Sequence, residues 1–255
     1  LDLAPWQWAA GLAAAFLIGF SKTGLPGVGI LGVPLMALAF GGRLSVGALL
    51  PILILADVFA VSWYRRTADW SELRRLVPWV LTGMALGTGA LIFLNQRPHA
   101  KDPMNALIGG LVLLMLVVAV WRKRRGEAAR VQGAGVALTG IGAGFSTLVS
   151  NAAGPIMGIY LTSLGLNKDR FMGTTAWYFL IFNLTKLPVY FALTEYIPNA
   201  PMLTTATWQF DLAAAPVVIL GAFVGRWFLG RVPQQWFDDA ILALAGAAAV
   251  WLILQ

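Results

Sequence analysis

Residues 19–34 read Gly-Phe-Ser-Lys-Thr-Gly-Leu-Pro-Gly-Val-Gly-Ile-Leu-Gly-Val-Pro, and residues 140–155 read Gly-Ile-Gly-Ala-Gly-Phe-Ser-Thr-Leu-Val-Ser-Asn-Ala-Ala-Gly-Pro. Both stretches are apolar, yet glycine and proline recur too often in them for a continuous helix to be stable. The windows 19–42 and 140–165 hold 13 of the 28 glycines in about a fifth of the chain. Backbone freed from helical hydrogen bonding in an apolar setting must be buried in protein or line a wet cavity. The setting of these two stretches therefore decides how the chain is read.

That setting is a membrane. Of 255 residues, 59% are hydrophobic and only 11% charged, with a mean hydropathy of +0.76. A water-facing domain carries about 25% charged residues. Most of the apolar blocks are long enough to cross a hydrocarbon core of about 30 Å. The formal charge of +7 does not imply nucleic acid, because the basic residues sit in short connectors and not on one exposed face. With no cysteine and a single histidine, His99, in a polar connector beside Pro98, thiolate chemistry and metal sites are not expected. The first apolar block lacks the basic start of a signal peptide and reads as part of the fold.

Ten apolar segments are predicted, approximately Pro5–Phe20, Leu25–Phe40, Val46–Tyr64, Leu76–Leu94, Met104–Trp121, Gly133–Val149, Ala152–Leu166, Phe171–Leu193, Leu212–Leu229 and Ala240–Leu254. The connector 122–130 divides them five and five. Gly19/Gly140, Pro34/Pro155 and Met36/Met157 match at an offset of 121, and Gly47/Gly173 and Tyr64/Tyr190 at 126. Trp70/Trp208, Pro78/Pro216, Gly83/Gly221 and Gly87/Gly225 match at 138. The ordered matches predict a duplication, with residues 1–125 as the first membrane repeat and 126–255 as the second. The connectors carrying Arg65, Arg66, Arg74 and Arg75, and Arg122 to Arg125 with Arg130, are cytoplasmic by the positive-inside rule. The connector equivalent to the first of these, in the second half, holds Glu195 and no basic residue, so it faces out and the repeats are inverted. This arrangement puts 14 of the 18 Lys and Arg inside and both termini in the periplasm. Fusing segments 1 and 2 into one helix would give a rod of about 50 Å, so they are read as two.

The expected fold is an all-α polytopic membrane protein of two inverted repeats, the first two segments of each being short, broken or re-entrant. Short Gly/Pro-interrupted segments at equivalent places in inverted halves point to a transporter's binding site near the midplane. Helix N-termini offer free N–H groups and partial positive charge, and glycine admits a ligand close to the backbone. Ser21, Lys22, Thr23, Gly24, Gly27, Gly29, Ser146, Thr147, Ser150, Asn151, Gly154 and Lys186 are therefore the candidate substrate-binding residues, for a small anion. The other reading of these glycines is close helix packing. Gly24–Gly29 is not a Walker loop, since Lys22 and Thr23 precede the glycines. Charges inside segments are costly and face a cavity or a partner. Asp57 and Asn183, which align at the offset of 126, and Trp177 are candidates for coupling or gating. Lys186 is read as an anion counter-charge, a snorkelling lysine or a structural pair with Asp57, and Arg226 as a snorkelling anchor. No cofactor is expected, and no constellation in the segments suggests an enzyme.

The glycine-rich stretch 19–34, its echo at 142–155 and the doubled layout resemble the TauE/SafE family of sulfite exporters across essentially the whole chain. The resemblance implies a bacterial inner-membrane carrier whose partners are the lipid bilayer and a small sulfur-containing anion: sulfite, sulfoacetate, thiosulfate or a related organosulfonate. Export by alternating access is the expected direction, with proton coupling as an addition and uptake or an anion channel as the alternatives. The second motif has fewer glycines and more hydroxyls than the first, which argues against equal roles for the two halves.

Overall fold

The structure is a computed structural model that describes residues 3–95, 131, 133–197 and 201–254, together with positions 113 and 117. Segment 5, the basic connector 122–130 and His99 lie outside the described residues. Within them every element is helical: α1 Pro5–Thr23, a 3-10 turn Val28–Leu31, α2 Gly32–Phe40, α3 Gly42–Tyr64, α4 Trp70–Asn95, α5 Ala134–Ser150, α6 Ala153–Ser163, α7 Lys168–Tyr196, α8 Thr205–Leu229 and α9 Gln234–Leu254. Four of these, α3, α4, α7 and α8, are long and apolar enough to cross a membrane. Large apolar side chains such as Leu86, Leu212, Leu220, Phe223 and Trp227 are exposed on the described helices, as a lipid solvent requires.

The chain packs as two compact units, neither of which is a sequence half. One comprises Leu1–Ala68 and Thr175–Val232; the other comprises Asp69–Thr174 and Pro233–Gln255. In the first unit, α1 starts on Pro5, whose missing N–H is no loss in a first turn. It ends at Gly24, and the chain reverses through Gly27, whose φ of 103° only glycine adopts readily. The 3-10 turn and α2 then run back along α1. Gln7 donates from Nε2 to the Ala39 carbonyl at 2.9 Å, and a Cβ at Gly32 would meet Ile18 at 3.1 Å. The expected separation of segments 1 and 2 is thus a helical hairpin. Its turn lies level with the far end of α3, where the Tyr64 hydroxyl donates to the Thr23 carbonyl at 2.8 Å. That places the turn beside the Tyr64 end of α3.

The second unit repeats this plan. α5 ends with Asn151 in the left-handed region at φ 56°. Ala152 N–H donates back to the Ser146 carbonyl and Asn151 N–H to that of Thr147, each at 3.2 Å, which closes the helix with a left-handed αL cap. α6 then returns, and Tyr160 donates from its hydroxyl to Glu72 Oε2 at 2.7 Å at the start of α4. Asp69, just before α4, accepts from Ser71 Oγ at 2.6 Å and pairs with Arg170 Nη2 at 2.9 Å. Chiefly through the Ser71 hydroxyl, these contacts hold the Asp69 carboxyl below the usual carboxylate range.

Glycine sets the closest helix contacts, and the two units use it in the same register. A Cβ at Gly19 of α1 would collide with the Val218 carbonyl and meet Ala222 N at 3.0 Å on α8. A Cβ at Gly140 of α5 would meet the Leu76 carbonyl at 3.4 Å and Val80 N at 3.3 Å on α4. Thr23 Oγ1 donates to the Ala222 carbonyl at 2.6 Å, and a Cβ at Gly144 would strike that of Val80. Gly225 abuts the Phe20 carbonyl, and Gly83 that of Ile141. All three correspondences obey an offset of 121 for α1 and α5 and of 142 for α4 and α8. The offset of 138 from residue identities is therefore corrected by one helical turn: Gly83 corresponds to Gly225, not to Gly221.

Candidate functional site

The first unit encloses a charged cluster against the interrupted hairpin. Lys22 is in the last turn of α1, where a cation complements the helix dipole. Its Nζ lies 2.7 Å from Asp57 Oδ1 and 3.7 Å from the centroid of the Phe179 ring, so an aromatic face and a carboxylate share one ammonium. Asn183 donates from Nδ2 to Asp57 Oδ2 at 2.6 Å. Asp57 and Lys186 are both 0% exposed and Asn183 1%. At that burial, each charge needs its neighbours. Lys186 feels the fields of both Lys22 and Asp57, and its ammonium stands 5.9 Å from the Tyr190 ring.

The depth of this cluster follows from helix geometry. Asp57 is two turns, about 10 Å, inside the Tyr64 end of α3. The hairpin turn is at that end, while the ammonium it carries reaches inward to the carboxylate. Asp57 and Asn183 are also the residues that the sequence repeat pairs at 126, and here they touch. Their neighbours break the correspondence: Ala143 stands where the first half has Lys22, and Ala60 where the second has Lys186.

The remaining candidates divide. Thr23 is occupied by its bonds to the carbonyls of Gly19, at 3.3 Å, and Ala222. A Cβ at Gly24 would strike the Gly225 backbone at 2.7 Å, and one at Gly29 would meet Ser21 Oγ at 3.0 Å. These three glycine and threonine positions build the hairpin, and Gly27 turns it. Trp177 donates from Nε1 to the Arg65 carbonyl at 3.3 Å, away from the charges, and ties α7 to the end of α3. Arg226 lies over Trp63 and Tyr64 at 5.3 and 5.1 Å. The pairing of Asp57 falls to Lys22, which the sequence reading had not joined to it.

In the second unit the break between α5 and α6 offers neutral groups. α6 begins without a side-chain cap. An added Cβ at Gly154 would meet nothing within 4 Å, so this backbone is approachable within its unit. Ser146 Oγ is buried without a hydrogen-bond partner, and Ser150 Oγ donates to the Ser146 carbonyl at 3.3 Å. Thr147 is buried and Asn151 half-buried at the same bend.

Two participants escaped the sequence reading. Phe179 and Tyr64 are two of many aromatics, and only the folded hairpin sets them against Lys22 and Thr23. Tyr178 is buried, its hydroxyl has no partner, and its ring packs on Phe179 and Phe182 at 5.0 and 4.9 Å. Among the described residues no group of acidic or histidine side chains is arranged to hold a metal ion.

Against known proteins, the chain matches the family model described as Sulfite exporter TauE/SafE over residues 11–252. No curated protein and no solved structure matches it.

Proposed function

We propose that this chain, which belongs to the TauE/SafE family of sulfite exporters, carries sulfite, sulfoacetate or a related organosulfonate out across the bacterial inner membrane by alternating access. The observation that carries this reading is the buried meeting of Lys22, Lys186, Asp57 and Asn183 beside an interrupted helix. An anion entering the cluster meets two lysine side chains for one carboxylate, in surroundings too apolar to screen charge. The flat Phe179 ring on Lys22 leaves the ammonium's other directions to oxygen acceptors. Taken by itself, the second unit has at its uncapped α6 terminus and Ser146 N–H and O–H donors of a kind that suits an oxyanion without a permanent charge.

We further infer that the two halves are inverted repeats, with both termini periplasmic. Support comes from the repeated 121/142 packing register, from the contact of equivalent residues Asp57 and Asn183, and from the distribution of basic connectors. Inverted repeats give a carrier two related end states around one site.

The test is flux of labelled sulfite through purified protein in liposomes, with sulfoacetate, thiosulfate, sulfate and simple carboxylates as competitors. A carrier saturates and is inhibited by the sulfur anions before the carboxylates. Lys186→Ala should abolish the thermal stabilisation by sulfite while the apo protein stays folded. Flux that never saturates, accompanied by single-channel conductance, would replace the carrier with a channel. Absence of sulfite-dependent flux or stabilisation in the wild type would remove this solute class altogether.

A further inference from the structure

Among the described residues of the first unit, Asp211 is the buried carboxylate that the charged cluster does not use. It lies on α8 after Thr205–Phe210, in the inward stripe Thr207, Phe210, Asp211, Ala214 and Val218. The residue is 7% exposed, and neither carboxylate oxygen has a hydrogen-bond partner among the described residues. Next to it Phe210 packs on Trp8 and Phe40 at 5.3 and 5.0 Å, so the wall is aromatic and aliphatic.

The internal register shows what is missing. At the offset of 142, Asp211 corresponds to Asp69, which accepts from Ser71 at 2.6 Å and pairs with Arg170 at 2.9 Å. The position matching Ser71 is Ala213, and that matching Arg170, at the offset of 126, is Leu44. Thr174, whose hydroxyl accepts from Asp69 N–H at 2.8 Å, is matched by Ala48. One carboxyl of the pair is held by an ion pair and hydrogen bonds, while the other has lost every equivalent partner and has been kept. A side chain retained for packing alone would be better served by leucine or asparagine.

We propose that Asp211 is a proton-binding site, distinct from the anion cluster, which holds one proton while enclosed and exchanges it when water reaches this end of α8. An ionised carboxylate walled by apolar groups costs several kcal/mol without a donor or cation, and a proton removes that cost with no further ligand. Among the described residues no group of acidic or histidine side chains is arranged here to hold a metal cation instead. The charged groups on the helices around it lie elsewhere. Lys22 on α1, Asp57 on α3 and Lys186 on α7 form the cluster at the other end, Glu195 on α7 is exposed, and Arg226 on α8 is stacked on Trp63 and Tyr64. None of these exerts a charge effect on Asp211. Arg43, at the start of α3, is outside the described side chains and is tested directly.

The proton site stands apart from transport, whereas its role in coupling rests on the carrier reading above. Infrared difference spectra of the purified full chain at neutral pH should contain the carbonyl stretch of a buried protonated carboxylic acid. This band should be lost in Asp211→Asn, be restored at a shifted position in Asp211→Glu, and persist in Arg43→Gln. In liposomes, Asp211→Asn, which mimics the protonated side chain and should fold, is expected to keep sulfite–sulfite counterflow within about twofold of wild type. It should lose flux driven by a pH gradient. An identical band in wild type and Asp211→Asn, or its loss in Arg43→Gln, overturns the proton site. Flux in Asp211→Asn that follows the pH gradient as in wild type overturns the coupling. Failure of wild-type counterflow with every sulfur anion would count against the carrier reading, and the infrared result would still decide the site.

Discussion

Replacing Lys22 with Met, Asp57 with Leu, and both together separates what the buried pair does for stability from what it does for binding. At 2.7 Å and an effective dielectric of about 20, the two charges attract by about 6 kcal/mol. Taking two ions out of water costs several kcal/mol each, so the pair is nearly neutral as a whole, while either member alone is not. Lys22→Met leaves Asp57 the Asn183 amide and the field of Lys186, and should destabilise by about 3 kcal/mol. Asp57→Leu leaves two ammonium groups facing each other and should cost about 5 kcal/mol. The double variant removes both charges and should lie within about 2 kcal/mol of wild type, the residue arising from Lys186. Thermal unfolding of the detergent-solubilised protein measures all three, and sulfite-induced stabilisation is read from the same samples. The double variant should be folded and should show no sulfite shift. Additive single effects would refute the coupling, and a full sulfite shift in the double variant would refute the role of Lys22 in binding.

Gly19→Ala drives a methyl group into the Val218 carbonyl and is expected to lower stability by about 1–3 kcal/mol. At Gly89, where nothing lies within 4 Å, the same change should raise it by about 0.5–1 kcal/mol; paired thermal melts decide. Tyr160→Phe removes a 2.7 Å hydrogen bond to the buried Glu72 and should cost about 1.5–3 kcal/mol by the same assay. Asp69 has a folded-state carboxyl held below its ordinary value by Ser71, so its contribution is complete above the unfolded pKa of about 3.9 and is lost as pH falls through the lower folded value. The midpoint of wild type should therefore fall more steeply than that of Asp69→Asn below about pH 4; parallel acid limbs would contradict this.

Glycine and proline placement made the helix breaks legible, because their backbone effects are local. Gly27 and Asn151 sit where chain reversal needs the left-handed half of conformational space, and both fall inside stretches flagged from sequence. Pairings across helices were harder to read. Lys22 meets Asp57 only because the hairpin folds back, and a separation of 35 positions gives no local signal of it. The slipped offset has a similar cause: glycines recur at helical spacing on α4 and α8, so a register one turn away still matches Gly to Gly. Backbone carbonyls, which distinguish the two registers, leave no trace in residue identity. Asp211 was passed over because the apolar run was begun at Leu212. The i, i+3, i+4 stripe from Thr207 to Val218 was available and would have placed it inside.

The contact between Asp57 and Asn183 bears on the chain's history and on its cycle. On the proposed duplication, an ancestral pair of identical chains set two copies of the same residue face to face where α3 and its twin crossed. Two aspartates there would repel unless they shared a proton, whereas two asparagines would carry no charge for a lysine to balance. One of each gives a 2.6 Å hydrogen bond and a single carboxylate, beside which Lys22 and Lys186 persist opposite Ala143 and Ala60. A scaffold built twice thus carries its electrostatics once. On the proposed carrier cycle, two poses related by exchanging the copies would be isoenergetic in such an ancestor but unequal in this descendant, and the resting population would lean toward one side of the bilayer before any gradient is applied.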